Sequence, residues 1–151
     1  MMTQYTHTIT KEEISLLEIE EFLGRIIVID TEKDSDKAVS YLSGFEAVGF
    51  DTETRPSFKK GTRYKISLMQ ISTDEACFLF RLNRIGIPQS LEDFLVNEKI
   101  LKIGLSLRDD FGAMRKRTDI KPANFLDLQN YVGQFGIEDA SLQKIYAILF
   151  D

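Results

Sequence analysis

The chain has 151 residues, 43% hydrophobic and 28% charged, with a formal net charge of −5. That length suits one domain, and the composition is that of an ordinary globular protein, not a disordered or collagen-like one. No apolar run approaches the ~20 residues of a membrane-spanning helix; the acid excess excludes a general basic coat but not a local basic strip; and a single cysteine, Cys77, excludes an intrachain disulfide.

Residues 1–24 read as a polar N-terminal extension with an amphipathic stretch, Ile14 to Glu20, and residues 25–151 as the domain proper. The leader has no apolar core of the kind a signal peptide needs, so the expected compartment is the cytoplasm and no membrane is involved. His7 lies alone in this leader, away from any partner for Ser-His-Asp or Cys-His catalysis. Arg25 to Asp30 is apolar and rich in β-branched residues, which predicts a strand. Ser35 opens a predicted helix through Tyr41 and Leu42, with Ala38 and Val39 toward the core and Gly44 at its end. Ala47 to Glu53 reads as a buried strand that finishes in acids. After a turn-like segment, Tyr64 to Ser72 and Ala76 to Phe80 are two more strands joined at Thr73-Asp74-Glu75. A helix (90–96), a strand (100–103), a helix (106 to about 116), a short strand (125–128) and a last helix (140–149) complete the series. A three-stranded antiparallel meander followed by alternating helices and strands predicts an α/β fold, with a mixed sheet covered by helices on both faces.

Asp51-Thr52-Glu53 is the feature with the most chemistry in it. Alternation along a strand puts Asp51 and Glu53 on one face, ~7 Å apart. Two carboxylates at the margin of a core repel each other unless a cation lies between them, and oxygen donors suit a hard ion such as Mg²⁺ or Mn²⁺. The bland reading is a strand end that turns its acids to water. A third acid comes from the helix after Gly104, where Asp109 and Asp110 compete. Leu107, Phe111 and Met114 mark the buried face, and at ~100° per residue Asp110 lies beside it while Asp109 points nearly opposite. Ser106 and Asp109 have capping-box spacing, which assigns Asp109 to the helix start and leaves Asp110 as the functional acid.

The segment Arg55 to Lys65 carries five basic residues, no acid, and the rings of Phe58 and Tyr64. Cations interleaved with aromatics suit a single nucleic-acid strand: Arg55, Lys59, Lys60 and Arg63 would take phosphates and Phe58 would stack on a base. The plain alternative is a solvated loop. Arg115-Lys116-Arg117 reads as a solvated helix end.

Phe50-Asp51-Thr52-Glu53-Thr54, followed by Lys102-Ile103-Gly104 and Asp110, resembles the first two motifs of the DEDD 3′→5′ exonucleases, which include RNase D, polymerase proofreading domains and the Werner-type exonuclease domain. Leu68-Met69-Gln70-Ile71-Ser72, Cys77 to Phe80, Phe125 to Leu128 and the Ser141-Leu142-Gln143-Lys144-Ile145-Tyr146 helix extend the likeness from Arg25 to the end. The resemblance implies an RNase H-like fold and hydrolysis of phosphodiester bonds at 3′ ends of single-stranded DNA or RNA, with two Mg²⁺ or Mn²⁺ ions and release of 5′-mononucleotides. It further implies that Asp51 bridges the two ions, Glu53 holds the one on the nucleophile side, Asp110 acts mostly through coordinated water, and Ser106, where proofreading domains often have Asn, caps the helix or touches substrate. The family's third motif, Tyr-x-x-x-Asp or His-x-x-x-Asp, does not occur: none of Tyr5, Tyr41, Tyr64, Tyr131, Tyr146 and His7 has an aspartate four residues on. The expectation is therefore an incomplete domain, weakly active or inactive, with an apolar patch near Asp51 that favours a homodimer. The competing readings are a non-catalytic nucleic-acid-binding module with the same fold and a receiver-like α/β domain with an all-parallel sheet.

Overall fold

β-Branched runs and apolar alternation set out six strands. The computed structural model describes residues 4–55, 57–61 and 64–150, so Arg63, one of the expected phosphate contacts, lies outside the described residues. The chain divides into two compact units, residues 23–126 and residues 1–22 with 127–151.

In the first unit β1 (Arg25–Ile29), β2 (Ala47–Thr54), β3 (Ile66–Ser72), β4 (Ala76–Arg81), β5 (Leu101–Gly104) and β6 (Phe125–Asp127) form one sheet in the order β1-β4-β3-β2-β5-β6. The meander β2–β3–β4 is antiparallel, and β1 joins β4, and β5 joins β2, in parallel. A sheet with both senses of pairing excludes the all-parallel receiver arrangement. Asp51 pairs with Gln70, Gln70 with Leu79, and Leu79 with Val28, so these four share one face of the sheet. On the other face Val48 and Phe50 join Ile66, Met69, Ile71, Phe78 and Phe80 in the buried core, along with Leu91, Phe94 and Leu95 of a helix.

The helix α2 (Glu32–Leu42) begins three residues before the expected start. Thr31, not Ser35, is its N-cap: the Thr31 hydroxyl accepts the Asp34 N–H at 3.1 Å, while Ser35 is buried a turn inside. A four-residue helix, α3 (Leu82–Ile85), follows β4 and ends at Gly86 with φ 61°; it is too short to show a helical period in sequence. α4 (Gln89–Leu95) and α5 (Leu107–Met114) fall where the apolar spacing puts them. β5 contains a surprise, since Lys102 is fully buried. Its ammonium donates to the Asn97 carbonyl at 2.8 Å and the Phe94 carbonyl at 3.4 Å, and stands 5.2 Å from the centre of the Phe125 ring. Burial pulls its pKa down to about 8.

In the second unit, α1 (Lys11–Ser15) opens on a capping box between Thr10 and Glu13. The residues before it are tied to the chain's last part: His7 to the Gly136 carbonyl at 2.6 Å, Glu138 N–H to the His7 carbonyl, and Ile9 N–H to Asp139. α6 (Leu128–Tyr131), a 3-10 turn over Val132–Phe135 and α7 (Leu142–Phe150) complete it. Among the described residues no helix is long and apolar enough to cross a membrane.

Candidate active site

β2 carries Phe50 and Thr52 toward the buried side and Asp51 and Glu53 toward the other, both of them exposed. A register shift between Glu53 and Thr54 ends the regular ladder just after the second acid, where the strand gives way to the basic segment. α5 packs on the Phe50 side: Phe50 and Phe111 each meet the Phe125 ring edge-on, with centroids 5.0 Å apart. The close approach depends on Gly104, where a Cβ would stand 2.9 Å from the Phe50 carbonyl and 2.5 Å from a Leu107 methyl.

This packing decides between the two aspartates as helical geometry predicts. Asp110 is 9% exposed, and Asp109 is exposed to solvent. Asp110 reaches the end of β2, where the Thr52 hydroxyl donates a short hydrogen bond to Asp110 Oδ1. Burial pushes the Asp110 carboxyl above its ordinary pKa; the Thr52 hydrogen bond opposes this, and the charges of Asp51 and Asp109 add to it. Asp51 itself folds back to accept the Thr52 N–H at 2.9 Å. Thr52 therefore lies between the strand acid and the helix acid and bonds to both, a role that the alternating pattern of Asp-x-Glu conceals. Its hydroxyl-bearing type was the only hint in sequence.

Among the described residues no three His, Cys, Asp or Glu side chains stand grouped around a single metal position. Asp110 meets Thr52 and lies close enough to Asp51 to feel its charge, and Glu53 is exposed two residues further along the same strand. The donors nonetheless fit a hard divalent ion in kind: all are carboxylates, and the repulsion between Asp51 and Asp110 is what a cation would relieve.

Ser106 corrects an expectation. It occupies the left-handed region, φ 54° and ψ 45°, and its hydroxyl makes no capping bond to α5; Asp109 N–H instead bonds the Ser106 carbonyl at 3.2 Å. A capping box needs an extended cap residue, and the left-handed Ser106 is not one. Holding a serine there costs about 1–2 kcal/mol.

The basic segment is exposed at every described position from Arg55 to Lys65, and Phe58 is 97% exposed. Arg55 stacks 5.1 Å from the Tyr64 ring centre, joining the loop's two roots. Lys59 and Lys60 follow Phe58 in sequence and are exposed, with no acid in the segment. Arg117, expected to be a solvated helix end, is instead anchored: its Nε donates to the Ile66 carbonyl and its Nη2 to Asn83 Oδ1, both at 2.7 Å.

A family described as 3′-5′ exonuclease matches residues 26–148 of this chain. The bifunctional 3′-5′ exonuclease/ATP-dependent helicase WRN of Mus musculus is 29% identical over 120 residues, which is 76% of this chain and 9% of that protein. A 3′-5′ exonuclease of Arabidopsis thaliana is 34% identical over 101 residues, 59% of this chain and 35% of its own length. Among solved structures, the Trypanosoma brucei RNase D complex with RNA U12 superposes with a TM-score of 0.62 at 26% identity, covering 72% of this chain and 39% of that one. The EXD2 exonuclease domain soaked in Mg and GMP superposes with a TM-score of 0.64 at 23% identity, covering 74% of this chain and 60% of that one. The mixed six-stranded sheet is thus the RNase H-like fold of exonuclease domains, and the chain spans well under half the length of the mouse and Arabidopsis relatives.

Proposed function

The chain belongs to the 3′-5′ exonuclease family, and from that premise we propose that it acts on 3′ ends of single-stranded DNA or RNA and releases 5′-mononucleotides with the help of divalent cations. The observation that carries this reading is the meeting of Asp110 with the Asp51-Thr52 strand end, beside an exposed basic and aromatic loop. When bound, two Mg²⁺ or Mn²⁺ ions would supply charge neutralisation at the scissile phosphate and an activated water. Asp51 and Glu53 would hold the ions from the strand, and Asp110 would order water from the helix. Arg55, Lys59, Lys60 and Arg63 attract the phosphate backbone, Phe58 stacks on a base, and Ser106 borders the path of the strand. EXD2 crystals soaked in Mg and GMP and RNase D bound to RNA U12 support the choice of cation and ligand class. The 151 residues contain no Tyr-x-x-x-Asp or His-x-x-x-Asp, so the fourth acid is not supplied in that pattern and turnover by this chain is slow. The cytoplasm is the proposed site of action, and a second copy of the chain a partner, across the sheet face that bears Asp51.

The test is stepwise shortening of 5′-labelled single-stranded DNA and RNA, as nucleotides are released from the 3′ end, at micromolar enzyme with Mn²⁺, Mg²⁺ or EDTA. Release in Mn²⁺ but not EDTA is expected, and Asp51→Asn or Asp110→Asn should lower it by about 100-fold or more. Tight binding of the oligonucleotides without any release would leave a nucleic-acid-binding module and end the catalytic reading.

A further inference from the structure

α5 connects two parts of the proposed site that are far apart in sequence. Its first half carries Asp110, and the turn beyond its end carries Arg117. Arg117 does not face solvent as a lone basic residue would. Its Nε donates to the carbonyl of Ile66 at 2.7 Å, and Ile66 is the fully buried first residue of β3, where the chain returns from the basic loop. Its Nη2 donates at 2.7 Å to Asn83 on α3, the helix that packs beside β3. The ladder between β2 and β3 is irregular at this end, because the register shifts between Glu53 and Thr54 just before Thr54 meets Ile66. The loop's return therefore starts where the ladder is irregular, and Arg117 bonds to it there.

We propose that Arg117 is a positioning residue for substrate, fixing the return root of the basic loop to the helix that bears Asp110, so that Phe58, Lys59 and Lys60 stand at a set distance from the acids. The inference rests on the nucleic-acid reading of that loop. Arg117 acts as an anchor for the chain, with its Nε and Nη2 each donating to a protein acceptor. Its effect falls on binding and not on the chemical step, because Asp110 is secured separately by Thr52 and by the buried Leu107 and Met114 of its own helix. A loop with a loosened root must be ordered by the nucleic acid that it binds, which weakens ground state and transition state alike.

The experiment measures binding of a fluorescein-labelled oligothymidylate to the full chain by anisotropy, in EDTA across a salt series, with kcat and KM followed in Mn²⁺. Arg117→Ala is expected to weaken binding about three- to tenfold, to flatten the dependence of log Kd on log salt by about 0.7 for each phosphate that the loop no longer engages, and to change kcat less than about twofold. Arg117→Lys, which keeps the charge and can still reach the Ile66 carbonyl, should restore part of the loss. Asn83→Ala, which removes no charge, should shift affinity and slope the same way by less. Wild-type affinity and slope in Arg117→Ala, or a loss confined to kcat, would overturn the proposal. Should Arg117→Ala fail to fold by circular dichroism, an Asn83→Ala variant indistinguishable from wild type overturns it instead. A wild type that binds no oligothymidylate ends the nucleic-acid reading itself, whereas binding by wild type and Arg117→Ala alike ends only this inference.

Discussion

Lys102 and Asp110 are the buried charged side chains among the described residues, and their fates differ. Lys102 is a structural group: its ammonium serves two carbonyls near the end of α4 and lies between two aromatic rings. With its pKa lowered to about 8 from 10.5, the folded state resists the charged form. The cost is fully present below about pH 8 and disappears as pH rises toward 10.5, so this residue makes stability increase with pH across that window; the whole effect is about 3 kcal/mol. Lys102→Met keeps the volume and removes the charge. It should stabilise the fold at pH 7 by about 1–3 kcal/mol in urea unfolding, with the advantage over wild type shrinking by about pH 10. An advantage that stays constant with pH would show that the buried amine is not the cause. Asp110 is shifted the other way for an acid, upward by burial first. Its neutral form is favoured on folding, so the stability it contributes is complete below the ordinary carboxylate range and is lost as pH rises through its folded value. Asp110→Asn should therefore be more stable than wild type at about pH 7, level with it at about pH 4, and inactive. That pairing of gain and loss marks a residue kept for function.

At the scale of elements, the site depends on how closely α5 approaches β2. Gly104 permits the approach, since any side chain there would press on the Phe50 carbonyl and on Leu107. Gly104→Ala should cost about 1–3 kcal/mol through overpacking. It should also lower nucleotide release beyond what the stability loss explains, because α5 carries Asp110 and would move off Thr52. Equal activity per folded molecule, measured with the fraction folded at each temperature, would show that the acid tolerates the shift. The loop between β2 and β3 is built the opposite way. It is exposed, its Phe58 ring stands in solvent, and its roots are joined by Arg55 on Tyr64 and by Arg117 on Ile66.

At the scale of the whole molecule, a net charge of −5 coexists with a basic segment free of acids directly after the acid pair. The sheet face that bears Asp51 also bears Ile26 and Val28 of the edge strand β1, which are 64% and 53% exposed. Exposed apolar side chains on that face, with no proline or charge among Ile26 to Ile29, favour burial against a second copy. Light scattering should give the mass of a dimer at micromolar concentration, and Val28→Lys should return it to a monomer. A wild type that stays monomeric at all concentrations would remove self-association from the account.

Strand periodicity and β-branched runs determined the meander, and helical spacing alone separated Asp110 from Asp109, because both depend on local geometry that repeats every two or about 3.6 residues. The acid pair was legible for the same reason, and so was the basic segment, from its composition. What the sequence could not supply were the partners brought in from a distance. Thr31 displaced Ser35 as a cap because two cap-forming residues compete and only packing chooses between them. Thr52 bonds the helix acid across 58 residues, Arg117 reaches back 51 to Ile66, and a lysine in the middle of β5 is buried by neighbours on α4 and β6. Such contacts follow from the tertiary fold, since a side chain's partner across the chain leaves no period in the sequence that could announce it.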